Sequence, residues 1–205
     1  MSTSGAVGFR STRSKAEHYE ITLLDRIARG DQKALAEFYN HYIDDVYRFV
    51  YHQVGGHRQD AEDVTQETFI AALDSLESFR GESRLYVWLC GIAWRKASDF
   101  RRKRDRTQSR QSIADEESLE PTGARSEFRV EDVAERHSLR DQVWQTLLAL
   151  PEHYRQVLIL KYIEEFQVAE IALIMGKSEK AVESLLVRAR NAFRAELDRE
   201  AKSGG

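Results

Sequence analysis

The chain has little of what disulfide scaffolds, zinc modules, membrane proteins and most enzymes need. One of its 205 residues is cysteine, Cys90, so it holds no internal disulfide and no cysteine-based zinc site, and a reducing, cytoplasmic location fits. Two prolines and 11 glycines leave little room for hairpins and predict a helical chain. No run approaches the roughly 18 apolar residues that a spanning helix requires, so no membrane insertion is expected. The opening MSTSGAVGFRSTRSK is basic without an apolar segment; it is not a secretory signal and reads as a flexible tail over residues 1–19. The histidines His18, His41, His52, His57, His137 and His153 are scattered with no nucleophile beside them, and there is no glycine-rich phosphate loop. No catalytic residue, no metal site and no cofactor is expected.

Charge is present in quantity but segregated. The formal net charge is only −3, yet Arg84, Arg95, Lys96, Arg101, Arg102, Lys103, Arg104, Arg106 and Arg110 crowd one stretch, and the charged residues from Asp115 to Glu135 are mostly acidic. A basic face followed by an acidic one implies two kinds of partner.

Apolar spacing divides the chain in two. A short helix is expected over Ile21–Arg29, stopped by Gly30, with Leu23, Leu24 and Ile27 on one side. Asp31 can cap the next helix, whose stripe is Leu35, Phe38, Tyr42, Val46, Phe49 and Val50. A third helix, about Gln59 to Leu76, places Ala61, Val64, Thr68, Ala72 and Leu76 on one face, with Phe69 and Leu73 beside them. Asp60, Glu62, Asp63, Gln66 and Glu67 lie on the other. ESFRGESR reads as a loop, and a fourth helix follows with Leu85, Trp88, Leu89, Ile92 and Ala93 apolar. These four helices form a first domain, 20–104. Residues 105–135 show no sustained apolar period and are expected to be a flexible linker with room for short helical pieces. A second domain, 136–200, begins with a helix carrying Leu139, Val143, Trp144, Leu147 and Leu148. Pro151 opens a helix with Val157, Leu158, Leu160 and Tyr162. A short helix Val168–Met175, a Gly176 C-cap, a Ser178 N-cap and a last helix with Val182, Leu186, Ala189, Phe193 and Leu197 complete it. The fold class is all-α, two small helical domains on a tether.

Three constellations carry chemistry. A short helix, a glycine turn and a longer helix make a helix-turn-helix, in which the second helix enters the major groove. Lys180, Glu183, Ser184 and Val187 would face bases, with Arg188 and Arg190 nearer phosphates; an ordinary helical hairpin is the plainer alternative. Between residues 79 and 104 aromatic and basic side chains interleave: Phe79, Arg80, Arg84, Tyr86, Trp88, Trp94, Arg95, Lys96, Phe100, Arg101 and Arg102. Single-stranded DNA is held by such a mix, cations on phosphates and rings under splayed bases. Trp88 shares the stripe of Leu85, Leu89 and Ile92 and reads as core, whereas Trp94 and the run Arg101–Arg104 read as contacts. The third is the acidic face of the third helix. Asp60, Asp63 and Glu67 line up at i, i+3, i+7; without an accompanying histidine pair they suit a basic protein surface, or plain solvent, better than a metal.

Taken in order, GDQKALAEFYNHYIDDVYRFVY, DAEDVTQETFIAAL, FRGES followed by WLCGIA, LLALPEHYRQVLILKY and the helix-turn-helix resemble the extracytoplasmic-function group of bacterial sigma factors across most of Ile21–Leu197. The resemblance implies a subunit that holds core RNA polymerase on promoter DNA and is not itself an enzyme. It implies that the acidic helix of a region 2 docks on the polymerase, through Asp60, Glu62, Asp63, Gln66 and Glu67. It implies that the FRGES loop and following helix open and read the −10 element, through Phe79, Arg80, Ser83, Arg84, Trp94, Arg95, Lys96, Arg101 and Arg102. The region 4-like domain would read the −35 element, through Lys180, Glu183, Ser184, Val187, Arg188 and Arg190. Core polymerase, promoter DNA and an anti-sigma factor are the implied partners. The chain departs from the family at two places. Trp94-Arg95 stands where Arg-Asn is frequent, and Glu183, Leu185 and Val187 replace polar or cationic groups. The second departure lends weight to one alternative, a sigma mimic that titrates an anti-sigma factor; the basic, aromatic segment argues against it.

Overall fold

The computed structural model describes the backbone of residues 7–111 and 134–203, with side chains described over 18–106, 142–200 and at Lys202. Among these residues there are helices and turns and no strands. They separate into two compact units, dividing at Glu117 and Ser118.

The first unit holds four helices: α1 (Val7–Ala28), α2 (Gln32–Gln53), α3 (Arg58–Asp74) and α4 (Leu85–Gln111), with a 3₁₀ turn at Leu76–Ser78. α1 begins at Val7, well ahead of the expected Ile21, so the tail expected over 1–19 is helical from Val7 onward; residues 1–6 lie outside the described residues. No proline interrupts 7–20, so nothing local stops the helix from propagating N-terminally. Gly30 ends the segment at φ 84°, a conformation open to glycine. Asp31 caps α2, accepting from the amides of Lys33 at 2.9 Å and Ala34 at 3.2 Å. Its carboxyl is held below the usual carboxylate range by those amides, the Ala34 bond foremost, and by the Arg26 guanidinium.

α2, α3 and α4 pack on one another around Phe38, Val46, Phe49, Val50, Ala61, Val64, Phe69, Ala72, Leu85 and Leu89. The expected stripes are largely those observed, with Ala34 rather than Leu35 buried on α2. The first half of α4 is buried on more sides than one stripe accounts for, since Val87 and Cys90 are fully enclosed as well.

The expected linker 105–135 is helical to Gln111 and again from Ala134; residues 112–133 lie outside the described residues. The second unit holds α5 (Ala134–Ala149), α6 (Glu152–Leu158), α7 (Val168–Met175) and α8 (Glu179–Ser203). After α6 the backbone widens into a π turn at Ile159–Ile163, which rotates the following residues. Tyr162, expected in the core, is therefore exposed, while Ile159 and Leu160 are buried and Phe166 fills the space beyond. On α5, Leu147 is buried but Val143 and Leu148 face outward. Gly176 closes α7 in the left-handed region, φ 63° and ψ 40°. Ser178 accepts from the Ala181 amide at 3.2 Å and so starts α8.

Candidate nucleic-acid interface

The acidic face of α3 forms as the spacing predicts: Glu62, Asp63, Gln66 and Glu67 are exposed and Asp60 is half-buried. Two of these acids are already engaged with α4. Glu67 lies 3.6 Å from the Lys96 ammonium, and Asp60 lies 3.7 Å from the Arg104 guanidinium. Glu62 pairs with Arg58 on its own helix at 2.8 Å. Asp63 and Gln66 thus form the outward centre of the face. The cross-helix pairs fit two helices packed antiparallel, about two turns apart on each. No periodicity in either helix read alone reveals them.

The loop Phe79–Arg84 enters α4 through contacts from α1. Glu20 accepts the Leu85 amide at 3.0 Å with one carboxylate oxygen, and the Tyr42 hydroxyl at 3.3 Å with the other. Burial, reinforced by the Glu20 charge, pushes the Tyr42 hydroxyl well above its usual range, so it stays protonated and donates. A carboxylate on the first amide of α4 suits the positive end of that helix. Ile21 lies under Gly81 so closely that a Cβ there would stand 3.4 Å from its terminal carbon; Gly81 also has φ 71°. Glu20 and Ile21 support this loop and the start of α4, and motif reading missed them because they act across 65 and 60 residues of sequence.

Within the loop and helix the expected contacts separate. Arg80, Arg84, Arg95 and Arg102 are exposed, Arg102 alongside Asp99. Ser83 is half-buried and its hydroxyl donates to the Arg84 carbonyl at 3.3 Å. Phe79 and Trp88 meet edge to face with ring centroids 5.5 Å apart, both half-buried, so Trp88, expected in the core with Leu85, Leu89 and Ile92, sits at its edge against the loop. Trp94 is half-buried.

Arg101, expected among the DNA contacts, is 7% exposed. Its guanidinium donates to the Gln53 carbonyl at 2.8 Å and to the Ser98 hydroxyl at 3.0 Å, and lies 5.7 Å from the centre of the Trp94 ring. The last carbonyl of α2 has no partner within its own helix, and Arg101 supplies one. An inward arginine with these bonds fastens α2 to α4.

In the second unit, α8 buries Val182, Leu185, Leu186 and Ala189 and exposes Lys180, Glu183, Ser184, Val187, Arg188 and Arg190. All six expected contacts therefore share the outward side, and Arg188 folds back so that its Nε donates to the Ser184 carbonyl at 3.3 Å. Leu185, one of the three unusual residues of this helix, belongs to the core. No group of side chains that could hold a metal ion is present among the described residues, and no described helix is long and apolar enough to cross a membrane.

Comparison with known proteins bears on both units. Residues 38–107 match the family model Sigma-70 region 2, and residues 140–193 match Sigma-70, region 4. The chain is 31% identical to the ECF RNA polymerase sigma factor SigW of Bacillus subtilis over 85% of this chain and 94% of that protein. It is 34% identical to the ECF RNA polymerase sigma-E factor of Escherichia coli K12, over 83% of this chain and 90% of that protein. Among solved structures it is similar to CnrH in complex with the cytosolic domain of CnrY, with a TM-score of 0.58, 27% identity and coverage of 87% of this chain and 96% of that one. The fold is also that of the sigma factor RpoE in complex with the anti-sigma factor NepR from Bartonella quintana, with a TM-score of 0.59 and 23% identity over 81% of this chain and 98% of that one.

Proposed function

This chain belongs to the extracytoplasmic-function group of the sigma-70 family, and from that premise we propose how its own residues divide the work of a promoter-directing initiation factor. The α3 face centred on Asp63 and Gln66, flanked by Glu62 and Glu67, meets a basic surface of core RNA polymerase. The loop with Phe79, Arg80, Ser83 and Arg84, together with the half-buried Trp94 and Lys96 and the exposed Arg95 and Arg102 of α4, captures one strand of the −10 element. The outward side of α8 reads −35 duplex. The observation that carries this reading is the adjacency of an acidic face and a cationic, aromatic face on two packed helices, α3 and α4. One small unit can then touch polymerase and DNA at once.

The polymerase does the bond-making, and this chain acts by positioning, in the cytoplasm, as a factor without catalysis of its own. Its working divisions are 20–104 for docking and melting, 136–200 for upstream duplex, and the tether between them. Each unit alone binds weakly; on one polymerase their effective concentrations add to affinity. An anti-sigma factor that covers the α3 face or the α8 face would block one of these contacts. Run-off transcription with purified core polymerase on genomic fragments tests the reading. Discrete, promoter-dependent transcripts are expected. Binding to an anti-sigma factor with no transcript from any fragment would refute it in favour of a sigma mimic.

A further inference from the structure

The outward side of α8 carries two side chains that suit a DNA-facing helix poorly unless each meets one particular base. Glu183 is exposed, and a carboxylate facing duplex DNA is repelled by the phosphates. Val187, one turn further on, is 48% exposed although Leu185 and Leu186 beside it are buried. Lys180, Glu183, Val187 and Arg190 fall at i, i+3, i+7 and i+10, so they form one continuous stripe. Cations stand at both ends of that stripe, where phosphates flank a groove.

Resting on the reading of α8 as the −35 reader, we propose that Glu183 and Val187 are specificity-determining residues: Glu183 selects a cytosine and Val187 a thymine about two base-pair steps away. The chemistry of the major groove leaves little choice. A carboxylate only accepts hydrogen bonds. Guanine shows it two acceptors, thymine an acceptor and a methyl, and adenine an acceptor next to its amine. Cytosine alone offers an amine donor with no acceptor beside it on its own edge. A valine gives nothing to a polar edge, and the thymine methyl is the one apolar group there. Four residues of helix rise about 6 Å, close to two base-pair steps of about 3.4 Å, which sets the spacing between the two bases. Lys180 and Arg190 then offset the phosphate repulsion that Glu183 would otherwise suffer.

The test uses the full chain bound to core polymerase on a promoter library randomised across the −35 element, with transcript yield as the readout. The native protein is expected to enrich a cytosine and, about two positions away, a thymine. Glu183→Gln should move the preference at the first position to adenine, whose amine and N7 a glutamine amide pairs with, by about fivefold or more. Replacing the selected thymine by uracil, which lacks only the methyl, should lower transcript yield about threefold for the native protein and leave Val187→Ser, which offers no methyl, unaffected. An unchanged base preference in Glu183→Gln, or equal use of thymine and uracil by the native protein, would overturn the assignment. Failure to initiate on any template would instead defeat the initiation-factor reading on which it rests. Normal initiation indifferent to the −35 sequence would leave that reading intact and overturn this inference alone.

Discussion

Replacing Arg101 separates a fastening role from a DNA-contact role. Its guanidinium makes two charge-assisted hydrogen bonds, to the Gln53 carbonyl and the Ser98 hydroxyl, and lies near the Trp94 ring. The residue is 7% exposed, so solvent screens these interactions little. Hydrogen bonds to a charged group are worth about 1.5–3 kcal/mol each, and a desolvated cation–π contact about 0.5–2 kcal/mol. The contributions are coupled through one side chain and do not add fully. Arg101→Ala should therefore cost roughly 3 kcal/mol, a large share of the roughly 5–15 kcal/mol that holds a domain together. In a domain of about 100 residues this corresponds to a fall in Tm of roughly 12–24 °C. Urea unfolding followed by tryptophan fluorescence in a Trp144→Phe background reports the first unit alone, because Trp88 and Trp94 both lie there. Arg101→Lys should recover part of the loss through one donor, and Arg102→Ala, at the surface, should shift stability by less than about 0.5 kcal/mol. Unchanged stability in Arg101→Ala, together with a salt dependence of promoter binding that loses about one ion, would show that Arg101 neutralises a phosphate and refute the fastening role.

Asp63→Lys with Glu67→Lys should weaken core polymerase binding in a titration while far-ultraviolet circular dichroism stays the same, since both side chains are outward. Trp94→Ala should reduce open-complex formation several-fold, from stacking worth about 1–3 kcal/mol per base, read as permanganate reactivity of promoter thymines. Glu20→Ala should lower the same reactivity without touching DNA, because it releases the Leu85 amide and the start of α4, and −35 duplex affinity should stay unchanged. The lowered pKa of Asp31 means that its contribution is present above its unfolded pKa and is lost as pH falls through the folded value. Asp31→Asn, which keeps an N-cap acceptor, should flatten that acid limb of the stability profile, and Asp31→Ala should lower Tm at neutral pH as well.

Local chemistry determined where α1 and α7 end and where α2 and α8 begin. Gly30, Asp31, Gly176 and Ser178 act on amides and carbonyls within four residues of themselves, so their effect is legible in the chain itself. The outward faces of α3 and α8 were legible for the same reason, because helical period alone separates Asp63 or Val187 from the buried side. The start of α1 was not legible, since the residues before Ile21 neither favour a stop nor show a clear stripe. The π turn at Ile159–Ile163 was not either, and it is what turns Tyr162 outward. Tertiary packing alone decided how the basic run is used. Arg101, Arg102 and Arg104 look equivalent in sequence, yet one faces the end of α2, one faces solvent beside Asp99, and one reaches Asp60. Which arginine turns inward depends on how α4 crosses α2 and α3, a relation set by burying Phe49, Val50 and Leu89 together. The anchoring of α4 by Glu20 is of the same kind, a hydrogen bond between residues 65 positions apart that exists only once the bundle has closed.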